Sequence, residues 1–157
     1  MQIGATLRES MGLRIAIISD SHDRLPALLP ERLRGATEIW HLGDVCLPGT
    51  LAPLEALGVP LHVVRGNCDW VEDWPESLLL ERGGARFRLV HVPPARVGPG
   101  IAALLHGHTH VPRDETDPLG VRWLNPGCLA HANRGAPPSF AWIEFGDNGW
   151  RWRLERL

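Results

Sequence analysis

Three histidines fall within five residues in Leu104-Leu-His-Gly-His-Thr-His-Val111. In extended chain the alternation puts His108 and His110 on one side, where imidazole nitrogens can serve a metal ion. Other ligand types recur in the same kind of place, just past an apolar run. Asp20 and His22 follow Leu13–Ile18, Asp44 follows Glu38–Leu42, Asn67 and Asp69 follow Leu61–Val64, and His91 ends Arg86–His91. Carboxylate, imidazole and amide oxygen together suit Mn²⁺, Fe²⁺, Ni²⁺ or Zn²⁺ better than Ca²⁺. The seven groups Asp20, His22, Asp44, Asn67, His91, His108 and His110 exceed the needs of one tetrahedral ion. Two ions sharing a carboxylate would use them all. Such pairs, about 3.5–4 Å apart, clamp the entering and leaving oxygens of a phosphoryl displacement.

Each residue alone has an ordinary structural reading. Asp20 could cap a following helix. Gly43-Asp44 is a common turn, and a lone histidine such as His91 is usually structural. Their joint occurrence at successive strand ends is what points to a site.

The elements that must position these groups can be read from the apolar pattern. Leu13–Ile18, Glu38–Leu42 and Leu61–Val64 are short β-branched or apolar runs, read as buried strands. Between them Leu25–Arg34 has helical spacing, with Pro26 in the first turn, and Leu51–Leu57 is a helix closed by Gly58. Alternating strand and helix predicts parallel strands with right-handed crossovers. The later half differs. Ser77–Glu81 and Arg86–His91 are strands joined by the hairpin signal Gly83-Gly84. Ile101–Leu105 and Val121–Leu124 are further strands, and Phe140–Phe145 and Trp150–Leu154 are joined by Gly146-Asp-Asn-Gly149. A hairpin-rich second half fits two sheets packed face to face, with helices outside, better than one open parallel sheet. In an α/β sheet, ligands bind beyond the carboxyl ends of the strands, so the groups above can converge on one rim.

The 157 residues suit one domain spanning 13–157, with residues 1–12 as a flexible extension. A net charge of −2 gives no case for nucleic-acid or membrane binding. No apolar run approaches the ~20 residues of a membrane span, and no secretory leader is visible. Cys46, Cys68 and Cys128 are odd in number and widely spaced, which suits a reducing cytoplasm rather than a disulfide framework. All 16 cationic residues are arginine, which removes lysine as nucleophile or phosphate ligand.

The order Asp20-Ser-His22, Gly43-Asp44, Gly66-Asn-Cys-Asp69, His91 and Gly107-His-Thr-His110 resembles the calcineurin-like metallophosphoesterases. Within them it is most similar to the small bacterial and archaeal phosphodiesterases. The resemblance runs from about Leu13 to Phe145, and Asn125-Pro-Gly-Cys128 also matches the family's Asn-Pro-Gly turn. It implies a four-layer α/β/β/α sandwich of two mixed sheets flanked by helices, with a dinuclear metal site. By position, one ion would take Asp20, His22, Asp44 and His110, and the other Asp44, Asn67, His91 and His108, with Asp44 shared. The ions implied are Mn²⁺ first, with Fe²⁺, Ni²⁺ or Zn²⁺ as alternatives. The reaction implied is phosphodiester hydrolysis by a hydroxide activated between them, with Asp44, Asn67 and His108 at the reacting centre. The substrate would be a small phosphodiester or nucleotide-like molecule, in a cleft left open or completed by a second copy of the chain. Phosphomonoesterase or nuclease activity, and a non-catalytic metal-binding scaffold such as the retromer subunit that shares the resemblance, are the alternatives.

The chain departs from the family pattern in three places. Cys68 stands where many relatives carry His, a weak donor in place of a leaving-group acid; Asp69 then loses its partner and serves to fix the loop. Asp23-Arg24 follow His22, and Val92-Pro-Pro94 follow His91, which changes the pocket rim. His106 lies outside the ligand pattern and reads as a supporting or core group, as does His41.

Overall fold

The computed structural model describes residues 12–130 and 135–157. The expected extension lies, except for Gly12, outside the described residues. In chain order the elements are β1 (Arg14–Ile18), α1 (Leu29–Arg32), β2 (Glu38–His41), a 3-10 turn at Pro48–Leu51 running into α2 (Ala52–Glu55), and β3 (Leu61–Val63). There follow β4 (Ser77–Arg82), β5 (Ala85–Val90), β6 (Ala103–Leu105), β7 (Arg113–Thr116), β8 (Arg122–Asn125), β9 (Ser139–Gly146) and β10 (Gly149–Arg156). They form two five-stranded mixed sheets, in the orders β10-β9-β1-β2-β3 and β4-β5-β6-β8-β7. This is the α/β sandwich that the resemblance implies.

Strand alternation builds the layers. On β1, Ile15 and Ile17 point between the sheets, while Ala16 and Ile18 point to the helix side. Both faces are covered, which is why the strand reads as one continuous apolar run. Leu29 and Leu33 around α1, and Leu51 and Leu54 around α2, pack on the helix side with Phe140 and Trp142 of β9. Between the sheets, Trp40, Leu42, Val64 and Ile143 meet Phe87, Leu89, Leu105 and Leu124. Phe87 is the hub, edge-on to Trp40, Phe145 and Trp150 at centroid distances of 5.6, 6.1 and 5.1 Å. The outer face of the second sheet carries Val90, Leu104, Val121 and Trp123, covered by the irregular segment bearing Val97 and Ile101.

The helices are shorter than their apolar spacing predicts, and proline is the reason. Pro26 and Pro30 both lack the N–H that a longer ladder needs, so Leu25–Arg34 yields only Leu29–Arg32, ended by Gly35 at φ 85°. Pro48 and Pro53 likewise divide the second helix into a 3-10 turn and one α-turn. The edge strand β7 was not expected. Its sequence Arg-Asp-Glu-Thr carries no apolar alternation because it lies exposed at a sheet edge, paired only to β8. The β4–β5 turn is as expected: Gly83 and Gly84 both take positive φ, 56° and 76°, as a two-residue hairpin requires. Among the described residues no helix is long and apolar enough to cross a membrane.

Because Phe87 ties aromatic side chains of both sheets, Phe87→Ala is expected to cost about 3–5 kcal/mol of stability, measured by urea denaturation. A loss under 1 kcal/mol would show that the inter-sheet core does not hold the sandwich together.

Candidate metal centre

β1, β2 and β3 are parallel in one sheet, and β5 and β6 are parallel in the other. Their carboxyl ends open onto a common rim, and the loops there are tied to one another. Asp20 N–H donates to Gly43 O and His22 N–H to Asp44 O, each at 3.0 Å, which fastens the β1 loop to the β2 loop. The sheets are joined across the rim when His91 Nδ1–H donates to Leu42 O at 2.8 Å. His108 N–H also donates to Asp20 Oδ2 at 3.1 Å.

The loops are strained in a way that marks the site. All the described non-glycine residues with positive φ lie in them: Asp20, His22, Asp23, Asp44, Cys46, His108 and His110. Such conformations cost on the order of 1–3 kcal/mol each and persist only where the surroundings enforce them. Five of these residues belong to the predicted ligand set. The strained backbone turns their side chains into one space instead of letting them alternate along extended chain.

Two carboxylates form the buried centre. Asp20 Oδ2 accepts from Ser19 Oγ–H at 2.6 Å and from His108 N–H. Its Oδ1 is buried with no hydrogen-bond partner and faces three imidazoles: His110 Nε2 at 3.1 Å, His22 Nε2 at 3.6 Å and His91 Nε2 at 3.9 Å. Asp44 Oδ1 accepts from Cys68 N–H at 2.8 Å, while Oδ2 faces His91 Nε2 at 3.2 Å and His22 Nε2 at 3.6 Å. Burial favours the neutral form of Asp44, but His91 and the Cys68 N–H outweigh it and hold its pKa down at about 2. Asp20 is likewise lowered: burial is opposed by His22, Ser19, His91 and His110. The imidazoles answer in kind. Asp20 raises the pKa of His22, and the two carboxylates raise that of His91 in spite of its burial.

The structure brings five of the seven predicted residues, Asp20, His22, Asp44, His91 and His110, into two overlapping clusters sharing Asp20. His108 and Asn67 adjoin them at the exposed mouth. His108 Nδ1–H donates to Asn67 Oδ1 at 3.0 Å, and its ring stands edge-on to His91 at 5.2 Å. The donor set fits a divalent cation. Besides Asp20 Oδ1, His91 Nε2 is buried and has no hydrogen-bond partner, and these two atoms lie 3.9 Å apart. Buried polar atoms left in this state are rare unless an ion or ligand completes them.

Backbone geometry around this centre depends on residues that bind nothing themselves. Asp69 Oδ2 accepts from Gly66 N–H at 2.7 Å and Asp44 N–H at 2.9 Å, and Oδ1 accepts from Cys46 N–H at 2.8 Å. It fixes the β2 and β3 loops to each other, the loop role expected for it. A Cβ on Gly66 would strike Asp44 Oδ1 and its backbone N; one on Gly107 would strike Ser19 Oγ and Asp20 Oδ2. His41, fully buried, accepts Gly43 N–H on Nδ1 at 3.1 Å and donates from Nε2 to Ser21 Oγ at 2.9 Å, with burial pushing its pKa down to about 4. His106 is also a supporting group, donating from Nδ1 to Gly107 O at 2.9 Å. Asn125 holds the histidine loop by donating to Gly107 O at 3.1 Å and Thr109 Oγ1 at 3.0 Å. Cys46 and Cys68 flank His22; burial pushes the Cys46 thiol up to about 11 and raises Cys68 too, so both remain neutral thiols.

Asp69→Ala leaves three backbone N–H groups without their acceptor. It is expected to cost roughly 3 kcal/mol in urea denaturation and to speed amide hydrogen exchange at Asp44, Cys46 and Gly66. Unchanged exchange at those amides would remove Asp69 from this role.

Comparison with known proteins agrees with the geometry. Residues 13–148 match the calcineurin-like phosphoesterase superfamily domain. A probable metallophosphoesterase of Methanothermobacter thermautotrophicus is 33% identical over 133 residues, covering 72% of this chain and 75% of that protein. Among solved structures, an archaeal phosphodiesterase superposes with a TM-score of 0.75 at 21% identity, over 91% of this chain and 100% of its own. Vps29 from Chaetomium thermophilum gives 0.73 at 17% identity, over 94% and 97%. The family match takes in every strand but β10 and every strand-end group on the rim, so the chain belongs to the calcineurin-like phosphoesterase superfamily.

Proposed function

We propose that this member of a family of phosphoric ester hydrolases is a phosphodiesterase whose centre is built for two divalent cations. The observation that carries the reading is the pair of buried, unpartnered atoms Asp20 Oδ1 and His91 Nε2, set among Asp44, His22 and His110. Asp20, His22, Asp44 and His110 would hold one ion, and Asp44, Asn67, His91 and His108 the other. Asp44 suits the shared position because its Oδ2 faces a histidine from each set, His22 and His91. Bound there, the ions would lower the pKa of water towards about 7 and screen the charge of the phosphate. Mn²⁺ heads the candidates, since mixed N and O donors accept Mn²⁺, Fe²⁺, Ni²⁺ and Zn²⁺ alike.

The chain's own groups then divide the work. His91 is held rigid from Nδ1 by Leu42 O, which keeps Nε2 on the centre. Asn67 and His108, exposed at the mouth, are placed to touch an incoming phosphate. The neutral Cys68 is a poor proton donor to a departing alkoxide, which favours esters with good leaving groups, such as aryl diesters. A cavity of about 430 Å³ opens beside Asn67 and His91. It gives room to a second ester arm, which a diester has and a simple monoester lacks.

The likeness to Vps29 favours a second reading, a scaffold that binds metal without turnover. Turnover separates the two. Chelation is expected to abolish hydrolysis of bis(4-nitrophenyl) phosphate, and added Mn²⁺ to restore it. Asp44→Asn, which touches both proposed ligand sets, is expected to lose more than about 100-fold in kcat and to reduce the bound-metal count measured by elemental analysis. Full activity in metal-free protein would end the phosphodiesterase mechanism; two bound ions with no turnover of any ester would favour the scaffold.

A further inference from the structure

The cavity beside the metal centre has a chemistry of its own. Asn67 and His91 form the wall it shares with the centre, Arg65, Arg88 and one carboxylate, Glu76, supply its charged lining, and Val90, Val92 and Pro94 are its apolar part. At about 430 Å³ it lies within the size range of small-molecule sites. Arg88 is the unexpected member. It stands on β5 between the buried Phe87 and Leu89, facing the opposite side of the sheet. On that outer face Val90, Leu104 and Trp123 belong to an apolar cluster, and the neighbouring Arg86 pairs with Glu81 at 3.9 Å. The neighbours of Arg88 in register, Leu79 and Leu104, offer it no counter-charge.

The rest of the chain shows how unusual that is. Ten of the described arginines have a carboxylate within 4.0 Å. Among the described residues, Arg24, Arg88, Arg96 and Arg156 have none, and of these only Arg88 is not fully exposed. Among the described residues its one polar contact is a long donation from Nε to Ser77 Oγ at 3.4 Å. Arg65, across the cavity, is tied to Glu76 at 2.8 Å, but Glu76 is 80% exposed. Such surface pairs contribute only about 0–1 kcal/mol, so Arg65 can turn to a ligand at little cost. A partly buried arginine with guanidinium donors left unpaired among the described residues, and a second arginine within the same lining, suit bidentate pairing with a phosphate.

We propose that this cavity is a subsite for a second phosphate carried by the substrate, read chiefly by Arg88 with help from Arg65. The inference rests on the phosphodiesterase reading above and deepens it. The preferred substrate is a diester whose ester arm bears a further phosphate, as in a nucleoside bisphosphate ester, with the scissile phosphorus at Asp44 and the second phosphate beyond Asn67. Val90, Val92 and Pro94 give the arm an apolar surface to lie on.

Two measurements test it. The first is binding of thymidine 3′,5′-bisphosphate and thymidine 5′-monophosphate to Mn²⁺-loaded protein by calorimetric titration. Arg88→Gln is expected to weaken the bisphosphate by about tenfold or more, the usual scale for charge-assisted hydrogen bonds, and to leave the monophosphate nearly unchanged. Arg88→Lys, which keeps the charge without the fork, is expected to fall between. Arg151→Gln, on the remote strand β10, is expected to match wild type. Equal bisphosphate binding by wild type and Arg88→Gln would overturn the subsite, and so would an equal loss in Arg151→Gln. The second measurement uses Mn²⁺-loaded protein and the 4-nitrophenyl esters of the 5′-phosphate, with and without the 3′-phosphate. Arg88→Gln is expected to raise KM about tenfold for the bisphosphate ester only. Selective bisphosphate binding without turnover of either ester would keep the subsite and remove the phosphodiesterase reading.

Discussion

Two carboxylates buried side by side need cations, and the rest of the architecture follows from that requirement. Asp20 is fully buried and Asp44 nearly so. Leaving two such charges uncompensated would cost far more than the few kcal/mol by which domains are stable. The chain answers by facing them with three imidazole nitrogens from three different loops, all within 3.9 Å. Even so, Asp20 Oδ1 and His91 Nε2 have no hydrogen bond. The imidazoles therefore supply a partial answer, and the geometry that remains is that of a cation site.

Holding those groups together requires a backbone that would not adopt its shape unaided. Left-handed conformations at Asp20, Asp44, His108 and His110 would relax if the loops were free. Two kinds of constraint prevent this. The strands beneath are rigid, locked by a continuous core on both faces of the first sheet. Above them, polar side chains act as pins: Asp69 collects three N–H groups, His41 bridges Ser21 and Gly43, and Asn125 grips the histidine loop. Gly66 and Gly107 are required for the same reason, since a Cβ at either would enter the space of the carboxylates. His91 joins the two sheets and faces both acids, so the packing of the sandwich also sets the geometry of the site.

The candidate ligands were legible in the sequence because chemistry and topology coincide there. Polar groups directly after apolar runs are conspicuous, and a parallel sheet delivers successive strand ends to one side. Other features carried no such signal. The polar edge strand Arg113–Thr116 lacks alternation, and the helices looked longer than Pro26, Pro30 and Pro53 allow. Loop strain is invisible to periodicity, so extended chain seemed enough to align His108 with His110, whereas both residues are in fact left-handed. Arg88 went unnoticed because a charge alternating with Phe87 and Leu89 is what any half-exposed strand shows. Only the fold reveals that it faces the side of Val90 and Leu104 and that, among the described residues, no carboxylate lies within 4.0 Å of it.

That last contrast bears on how the site is divided. The candidate metal centre is acidic and lies where loops from both sheets meet; the neighbouring cavity is lined by Arg65, Arg88, one carboxylate, Glu76, and the apolar Val90, Val92 and Pro94. A phosphate ester spanning the two meets opposite demands along its length. At the centre its negative charge is tolerable only through bound cations, because Asp20 and Asp44 would repel it. Beyond Asn67 and His91 the same charge would face the guanidinium groups of Arg65 and Arg88. With arginine as its sole cationic residue, the chain can supply planar forks there, which recognise a phosphate by shape as well as by charge. On the phosphodiesterase and subsite proposals, the centre would polarise one phosphorus and the cavity would select the ester arm, with Asn67 and His91 standing between them.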